Sequence, residues 1–208
     1  LKFFFHKIFY SLLILFSKKI IFQSELMKDD FIKFFDFANH DNKFCVINNG
    51  VPIYSEKNIL HTNASQSVNK LKVNFLLVGT FKYQKGYDIF FDSLNYLDIS
   101  IIEKIHFHIC GAGERFQFFE TTLNNSIHKK IVTMYGELEP TNFYKDCDIY
   151  ILPSRFEGFS NSLIEALSFG LPAIAANCPS ANKEVLTENI NGVFFSNEDS
   201  EDLAKKIE

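Results

Sequence analysis

The stretch Asp148-Ile149-Tyr150-Ile151-Leu152-Pro153-Ser154 runs through Arg155-Phe156 into Glu157-Gly158-Phe159-Ser160-Asn161-Ser162-Leu163-Ile164-Glu165-Ala166-Leu167-Ser168-Phe169-Gly170-Leu171-Pro172, and its reading decides the fold. The apolar run up to Leu152 reads as a buried strand that Pro153-Ser154 ends. A helix then starts near Ser160 to Ser162. It stops at Gly170, because glycine accepts the left-handed position after a helix and Pro172 cannot continue one. Glu157 therefore sits in the loop above the strand end, and Glu165 on the first or second turn of the helix. Between them Gly158, Phe159, Ser160 and Asn161 lie at a helix N-terminus, where unpaired N–H groups and the helix dipole favour an anion.

Each acid has a plainer reading. Ser162-x-x-Glu165 is also a capping box, with Glu165 reaching back to the start of the helix, and a loop glutamate such as Glu157 is commonly just solvated. Two acids around a phosphate cradle suggest instead a nucleotide-sugar site, with hydroxyls held by carboxylates and a diphosphate held by backbone. The neighbouring pattern bears on the choice. Candidate strands are Asn74–Val78, Ile105–Cys110, Ile131–Tyr135, Ile149–Leu152, Ala173–Ala176 and Val193–Phe195, separated by helical stretches such as Tyr87–Leu97. Strands that are apolar throughout and alternate with helices imply a parallel sheet covered on both faces. Such sheets bind ligands at the carboxyl ends of their strands. The Gly79 loop, Gly111, Gly136 and Glu157 all fall there, on one rim.

With 208 residues the chain is one large domain, or one domain and part of another. A hydrophobic content of 47% is enough for a sizeable core. The 25 Phe with no Trp read as a composition bias. A net charge of −4 gives no support for nucleic-acid binding. Cys45, Cys110, Cys147 and Cys178 form no Cys-x-x-Cys pair, so neither a zinc site nor a disulfide framework is indicated, and a reducing compartment is expected. The chain opens on Leu1 and closes inside a helical pattern, Ser200 to Glu208, as a fragment of a longer polypeptide would.

Residues 1–22 are basic and apolar, with Lys2, Lys7, Lys18 and Lys19 and no acid. The uncharged run from Ile8 to Ser17 is too short to span a bilayer, which takes about 20 residues. It is read as the buried helix of a partial domain, with an anionic membrane surface as the alternative. Ile20–Ser24 reads as a short strand and Glu25 to Phe37 as a helix with Phe31, Phe34 and Phe35 on one side. Residues 54–70, polar and rich in Ser and Asn, read as a linker. The domain reading is thus 1–53 as the end of a first α/β domain, 54–70 as linker and 71–208 as the second domain.

These motifs resemble the retaining glycosyltransferases of GT-B fold known as glycosyl transferases group 1. The resemblance rests on Glu157 and Glu165 seven residues apart, then Gly170, Pro172 and Ala173-Ile174-Ala175-Ala176. Upstream, Val78-Gly79-Thr80-Phe81-Lys82-Tyr83-Gln84-Lys85-Gly86 resembles the family's first donor-domain loop, and downstream Asn191-Gly192-Val193-Phe194-Phe195 resembles its last strand. Val46-Ile47-Asn48-Asn49-Gly50-Val51-Pro52 resembles the turn that leaves the family's N-terminal domain. The implied fold is the C-terminal, donor-binding half of a GT-B enzyme, a Rossmann-like parallel sheet preceded by part of a second α/β domain.

The implied activity is transfer of a sugar from a nucleotide-diphosphate sugar to an acceptor hydroxyl with retention, in bacterial surface polysaccharide or glycolipid synthesis. The fragment alone is expected to be inactive. Glu157 would act on the donor sugar, Glu165 would bind ribose, and Lys85 with the N–H groups of Gly158 to Asn161 would hold the diphosphate. Backbone at Gly79 and Gly136 would approach the donor and its base. No cofactor and no metal are implied, and no Asp-x-Asp is present. Expected partners are the nucleotide-sugar donor and a glycan or lipid-linked acceptor, in the cytoplasm or peripherally at the inner face of the plasma membrane. One departure is Thr80, where the family usually carries Arg; a missing charge-assisted bond is worth roughly 1.5–3 kcal/mol.

Gly111-Ala112-Gly113 lacks a third glycine, since Phe116 stands there, so a dinucleotide fingerprint is not complete. His106 and His108, alternating on one strand face, read as packing residues. Glu184 matches a family glutamate without a defined role. A non-catalytic nucleotide-sugar-binding module, or a GT-B relative such as a sugar-nucleotide epimerase, remain alternatives.

Overall fold

The computed structural model describes residues 2–35, 42–50 and 72–208. The expected linker, residues 54–70, and the end of the turn at Val51-Pro52 lie outside them. The N-terminal unit comprises α1 (Lys2–Phe16), β1 (Ile20–Phe22), α2 (Glu25–Phe35) and β2 (Phe44–Val46), with β1 and β2 paired in parallel. Its core is small, formed by Ile14, Phe22, Phe35 and Phe44. On α2 the aromatic side differs from the expected one: Phe35 is buried and Phe31 packs beside it, but Phe34 points outward and is 60% exposed. Positions 31, 34 and 35 share a broad helical stripe, but the small core of this unit reaches only Phe31 and Phe35 and leaves Phe34 at the solvent edge. Phe9, Leu12, Leu15 and Phe16 of α1 are also exposed. Among the described residues no helix is long and apolar enough to cross a membrane.

The larger unit is a six-stranded sheet made of β3 (Val73–Val78), β4 (Ile105–Cys110), β5 (Val132–Met134), β6 (Ile149–Leu152), β7 (Ala173–Ala176) and β8 (Gly192–Phe195). Every pairing is parallel, and the spatial order is β5-β4-β3-β6-β7-β8. A parallel sheet needs crossover helices, and these bury both of its faces. One face carries α3 (Tyr87–Ser93), the short α4 (Ile99–Ile102), α5 (Phe116–Asn124) and α8 (Ser200–Ile207), packed on Phe75, Leu77, Phe107, Ile109 and Ile151. The other carries α6 (Thr141–Asp146) and α7 (Asn161–Ser168), packed on Leu76, Tyr150, Leu152 and Ala175. Much of the phenylalanine excess fills the first layer, where Phe107 stacks on Phe75 at 5.0 Å and meets Phe90 edge-on at 5.1 Å. The stretch expected as one helix, Tyr87–Leu97, is α-helical to Ser93 and tightens into a 3-10 turn over Leu94–Tyr96.

The order of strands reverses between β3 and β6, which pair through Phe75 with Ile149 and Leu76 with Tyr150. Chains leaving these two strands diverge to opposite halves of the sheet and open a crevice above their carboxyl ends. At its floor the two chains touch backbone to backbone. Gly86 is left-handed (φ 63°), and a Cβ there would lie 2.0 Å from the Pro153 carbonyl oxygen. Gly86→Ala is therefore expected to lower the unfolding free energy by about 3 kcal/mol or more, from backbone strain and overlap together. Urea denaturation followed by circular dichroism measures it, and a loss below about 1 kcal/mol would contradict this packing.

Candidate active site at the strand ends

Lys85 and Glu157 meet at the crevice. Lys85 ends a 3-10 turn, Tyr83–Lys85, in the segment after β3, and Glu157 lies in the segment after β6. The Lys85 Nζ is 2.6 Å from Glu157 Oε1, with side-chain exposures of 20% and 7%. Ser154 Oγ donates to the same oxygen at 2.7 Å, and Gln84 Nε2 lies 3.4 Å from Oε2 while donating to the Phe156 carbonyl at 3.0 Å. Glu157 is thus an enclosed carboxylate held by three donors, not a solvated loop acid. Its backbone is anchored as well: Glu157 N donates to Pro179 O at 3.2 Å, and Gly158 O accepts from Ala181 N at 2.9 Å.

The helix beyond it begins at Asn161 with Ser160 as N-cap, and the Ser160 side chain makes no capping bond. The first bond into the helix is Ile164 N to Ser160 O at 3.2 Å, so the N–H groups of Asn161, Ser162 and Leu163 precede the intrahelical ladder. The capping-box reading of Ser162 and Glu165 fails. Ser162 sits one residue inside the first turn, where its Oγ accepts from the Tyr150 hydroxyl at 2.8 Å. Glu165, on the second turn, accepts instead from the Tyr144 hydroxyl at 3.0 Å through Oε2.

Tyr150 is fully buried, with its hydroxyl also 3.3 Å from the Val78 carbonyl. Burial pushes this hydroxyl up, and the charges of Glu157 and Glu165 add to the rise, so it stays a neutral donor. Burial likewise raises Tyr144, helped by Tyr150 and by Glu165.

The glycines shape the other side of the crevice. Tyr87 OH donates to Gly79 O at 2.8 Å, and the Lys85 Cε would lie 3.4 Å from a Cβ on Gly79, so the lysine stem runs along that loop. Gly111 N donates to Gly136 O at 2.7 Å, and a Cβ on Gly111 would lie 1.9 Å from Gly79 O. These loops line a cavity of about 380 Å³ with Val78, Gly79, Thr80, Cys110, Gly111, Ala112, Gly113, Glu137 and Leu138. Gly136 adjoins it through Glu137. The structure therefore gathers Lys85, Glu157 and Gly79 directly, and Gly158 to Asn161 and Glu165 around the adjoining helix start. Phe159, between Gly158 and Ser160 in that segment, is half-buried.

The N-terminal unit reaches this rim. Asn49 Nδ2 donates to Asn161 Oδ1 at 2.6 Å, and a Cβ on Gly158 would meet Met27 Sδ at 3.5 Å. Glu184 caps the start of α2, accepting from Leu26 N at 2.8 Å and Glu25 N at 3.3 Å. Sequence reasoning missed Tyr144, Tyr150, Ser154, Gln84 and Asn49. Ser154 could have been found from its place in the same short loop as Glu157, and Tyr150 as the one hydroxyl in an aliphatic strand. Tyr144 carried no signal, because its partner lies on another helix. His106 and His108 bond to Thr133, Tyr135 and Asn74, and the described residues contain no cluster of His, Cys, Asp and Glu able to hold a metal ion.

The family model described as "Glycosyl transferases group 1" matches residues 61–208, and the chain belongs to that family. An uncharacterized glycosyltransferase of Methanocaldococcus jannaschii is 29% identical over 194 residues, 92% of this chain and 49% of the relative. The lipopolysaccharide 1,6-galactosyltransferase of Salmonella typhimurium is 29% identical over 129 residues, 59% of this chain and 35% of the relative. Among solved structures, Anabaena HepE in complex with UDP superposes with a TM-score of 0.74 at 21% identity, covering 94% of this chain and 54% of that one. The chain thus spans half or less of the length of these curated relatives. Its fold, a parallel sheet flanked by helices on both faces, matches that of GT-B glycosyltransferases.

The four cysteines give a direct check on the packing at this rim. Cys110, Cys147 and Cys178 are buried and Cys45 is partly exposed. Burial pushes the Cys110 thiol up to about 12, which leaves about one part in ten thousand as thiolate at pH 8. Under native conditions iodoacetamide is expected to label Cys45 first and to leave Cys110 unmodified until the chain unfolds, as read by peptide mass spectrometry. Rapid native labelling of Cys110 would show that the β3–β4 rim is open.

Proposed function

We propose that this chain is the donor-binding half of a retaining glycosyltransferase, one that moves a hexosyl-type sugar from a nucleotide-diphosphate sugar to an acceptor hydroxyl. The observation that carries the reading is the Lys85–Glu157 pair beside an uncapped helix N-terminus, at the point where strand order reverses. The HepE complex with UDP, a relative of the same fold, supports a nucleotide donor. The Salmonella galactosyltransferase supports a role in surface polysaccharide or glycolipid synthesis, with a glycan or lipid-linked acceptor.

In this reading Lys85 and the N–H groups of Gly158 to Asn161 take the diphosphate, stabilising the charge that grows on it as the glycosidic bond breaks. Glu157 contacts the sugar hydroxyls, and its present partner Lys85 can turn to phosphate without leaving the carboxylate's field. Glu165 accepts from ribose through the oxygen that Tyr144 leaves free. Gly79 and Gly136 let backbone approach the donor. The reading calls for no cofactor or metal ion. It goes with a protein in the cytoplasm, or peripherally at the inner face of the plasma membrane. Thr80, exposed and uncharged on the cavity wall, is the one feature that favours a non-catalytic binding module, since it offers the phosphates no cation.

Calorimetric titration with nucleoside diphosphates tests the assignment. Lys85→Ala should weaken binding at least tenfold, the loss of a charge-assisted bond worth about 1.5–3 kcal/mol. Glu165→Gln should weaken it about fivefold. Glu157→Gln should leave it unchanged or tighter, because it frees the ammonium and removes a repelling charge, yet it should abolish turnover in the full-length enzyme. If Glu165→Gln changes only the melting temperature, that carboxylate serves Tyr144 and not ribose.

A further inference from the structure

Arg155 lies two residues before Glu157 and is nearly enclosed, with 10% of its side chain exposed. Its guanidinium makes a two-pronged bond to Asp88, Nη1 to Oδ1 and Nη2 to Oδ2, both at 2.8 Å. Nη1 also donates to the Tyr83 carbonyl at 2.9 Å, and the guanidinium carbon stands 4.0 Å from the Tyr83 ring centre. On the remaining side Nε is 3.6 Å from Glu198 Oε1. The backbone takes part too: Arg155 N donates to Gln84 O at 2.8 Å, and Arg155 O accepts from Asn197 Nδ2 at 3.2 Å. Tyr83 and Asp88 lie on either side of Lys85, so one side chain grips both flanks of the segment that presents the lysine. That grip is anchored in the segment that presents Glu157.

We propose that Arg155 is a positioning residue of the donor site, which fixes Lys85 against Glu157 without itself reaching the ligand. The need follows from topology. Lys85 and Glu157 leave strands that diverge at the reversal point; the Gly86–Pro153 crossing and Gln84 bring their segments together, and Arg155 adds a hold on Asp88, beyond that crossing. A planar fork closed on Asp88 fixes both distance and orientation, which a lysine's single ammonium cannot do. The stack on Tyr83 keeps that fork in plane. The inference rests on the assignment of Lys85 to the diphosphate, and its test separates the two.

The 208-residue chain is titrated with UDP, GDP, ADP and dTDP, and the tightest binder is compared with its nucleoside by ligand-observed NMR. Arg155→Lys and Asp88→Asn, which open the fork from its two sides, are expected to weaken the nucleoside diphosphate threefold or more and to leave the nucleoside unchanged. Arg155→Gln should act more strongly, and the two milder variants keep the test alive should it fail to fold. In a Lys85→Ala background Arg155→Lys should cost no further affinity. Equal losses for nucleoside and diphosphate, or losses that add fully to that of Lys85→Ala, would leave Arg155 a purely structural residue and overturn the proposal. If Lys85→Ala itself leaves diphosphate binding intact, the donor-site assignment fails first and the proposal with it.

Discussion

One close backbone crossing underlies the whole rim. Where the segment after β3 passes the segment after β6, the Pro153 carbonyl occupies the space a side chain on Gly86 would need. Only glycine tolerates both that approach and the left-handed turn. The crossing sets Lys85, immediately before Gly86, beside the loop that carries Ser154 and Glu157. The Gly111–Gly79 approach does the same for the neighbouring pair of strands. The candidate site at this rim is therefore built on backbone proximity, with side chains added to a frame that glycines made possible.

The Lys85–Glu157 pair is poorly explained as a stability device. Removing both charges from water costs several kcal/mol, and their attraction offsets this only when the remaining polar atoms are also satisfied. Ser154 and Gln84 supply that satisfaction for the carboxylate. The lysine is more exposed than its partner, 20% against 7%. An ion pair that is enclosed on the acid side and open on the basic side suits a site that must admit an anion. Below it, neutral tyrosines carry the second layer of order: Tyr150 tethers the start of α7 to the sheet, and Tyr144 orients Glu165.

The strands were legible because each is an apolar run ended by Gly, Pro or a polar residue. Ile105–Cys110, Ile149–Leu152 and Ala173–Ala176 have the bounds expected from the residues alone. The helix stop at Gly170 was legible for the same local reason, its left-handed backbone. The capping box was not what it seemed. Ser162 and Glu165 have the right spacing, but the helix starts at Asn161, and two tyrosines from elsewhere in the chain claim both side chains. Phe34 failed for a different reason: its spacing fits the helical stripe, but the small core of the N-terminal unit reaches only Phe31 and Phe35.

The residues alone settled what depends on neighbours in sequence: the alternation of strand and helix, the family motif around Glu157 and Glu165, and the rim on which the candidate groups fall. Tertiary structure decided what depends on segments far apart in the chain. It showed that Glu157 is enclosed rather than solvated, that Glu165 faces Tyr144, that Glu184 caps α2, and that Arg155 grips both sides of Lys85. Local propensity is written within a few residues and can be read there. A hydrogen bond across dozens of residues exists only once the sheet's reversed strand order has brought its two ends together.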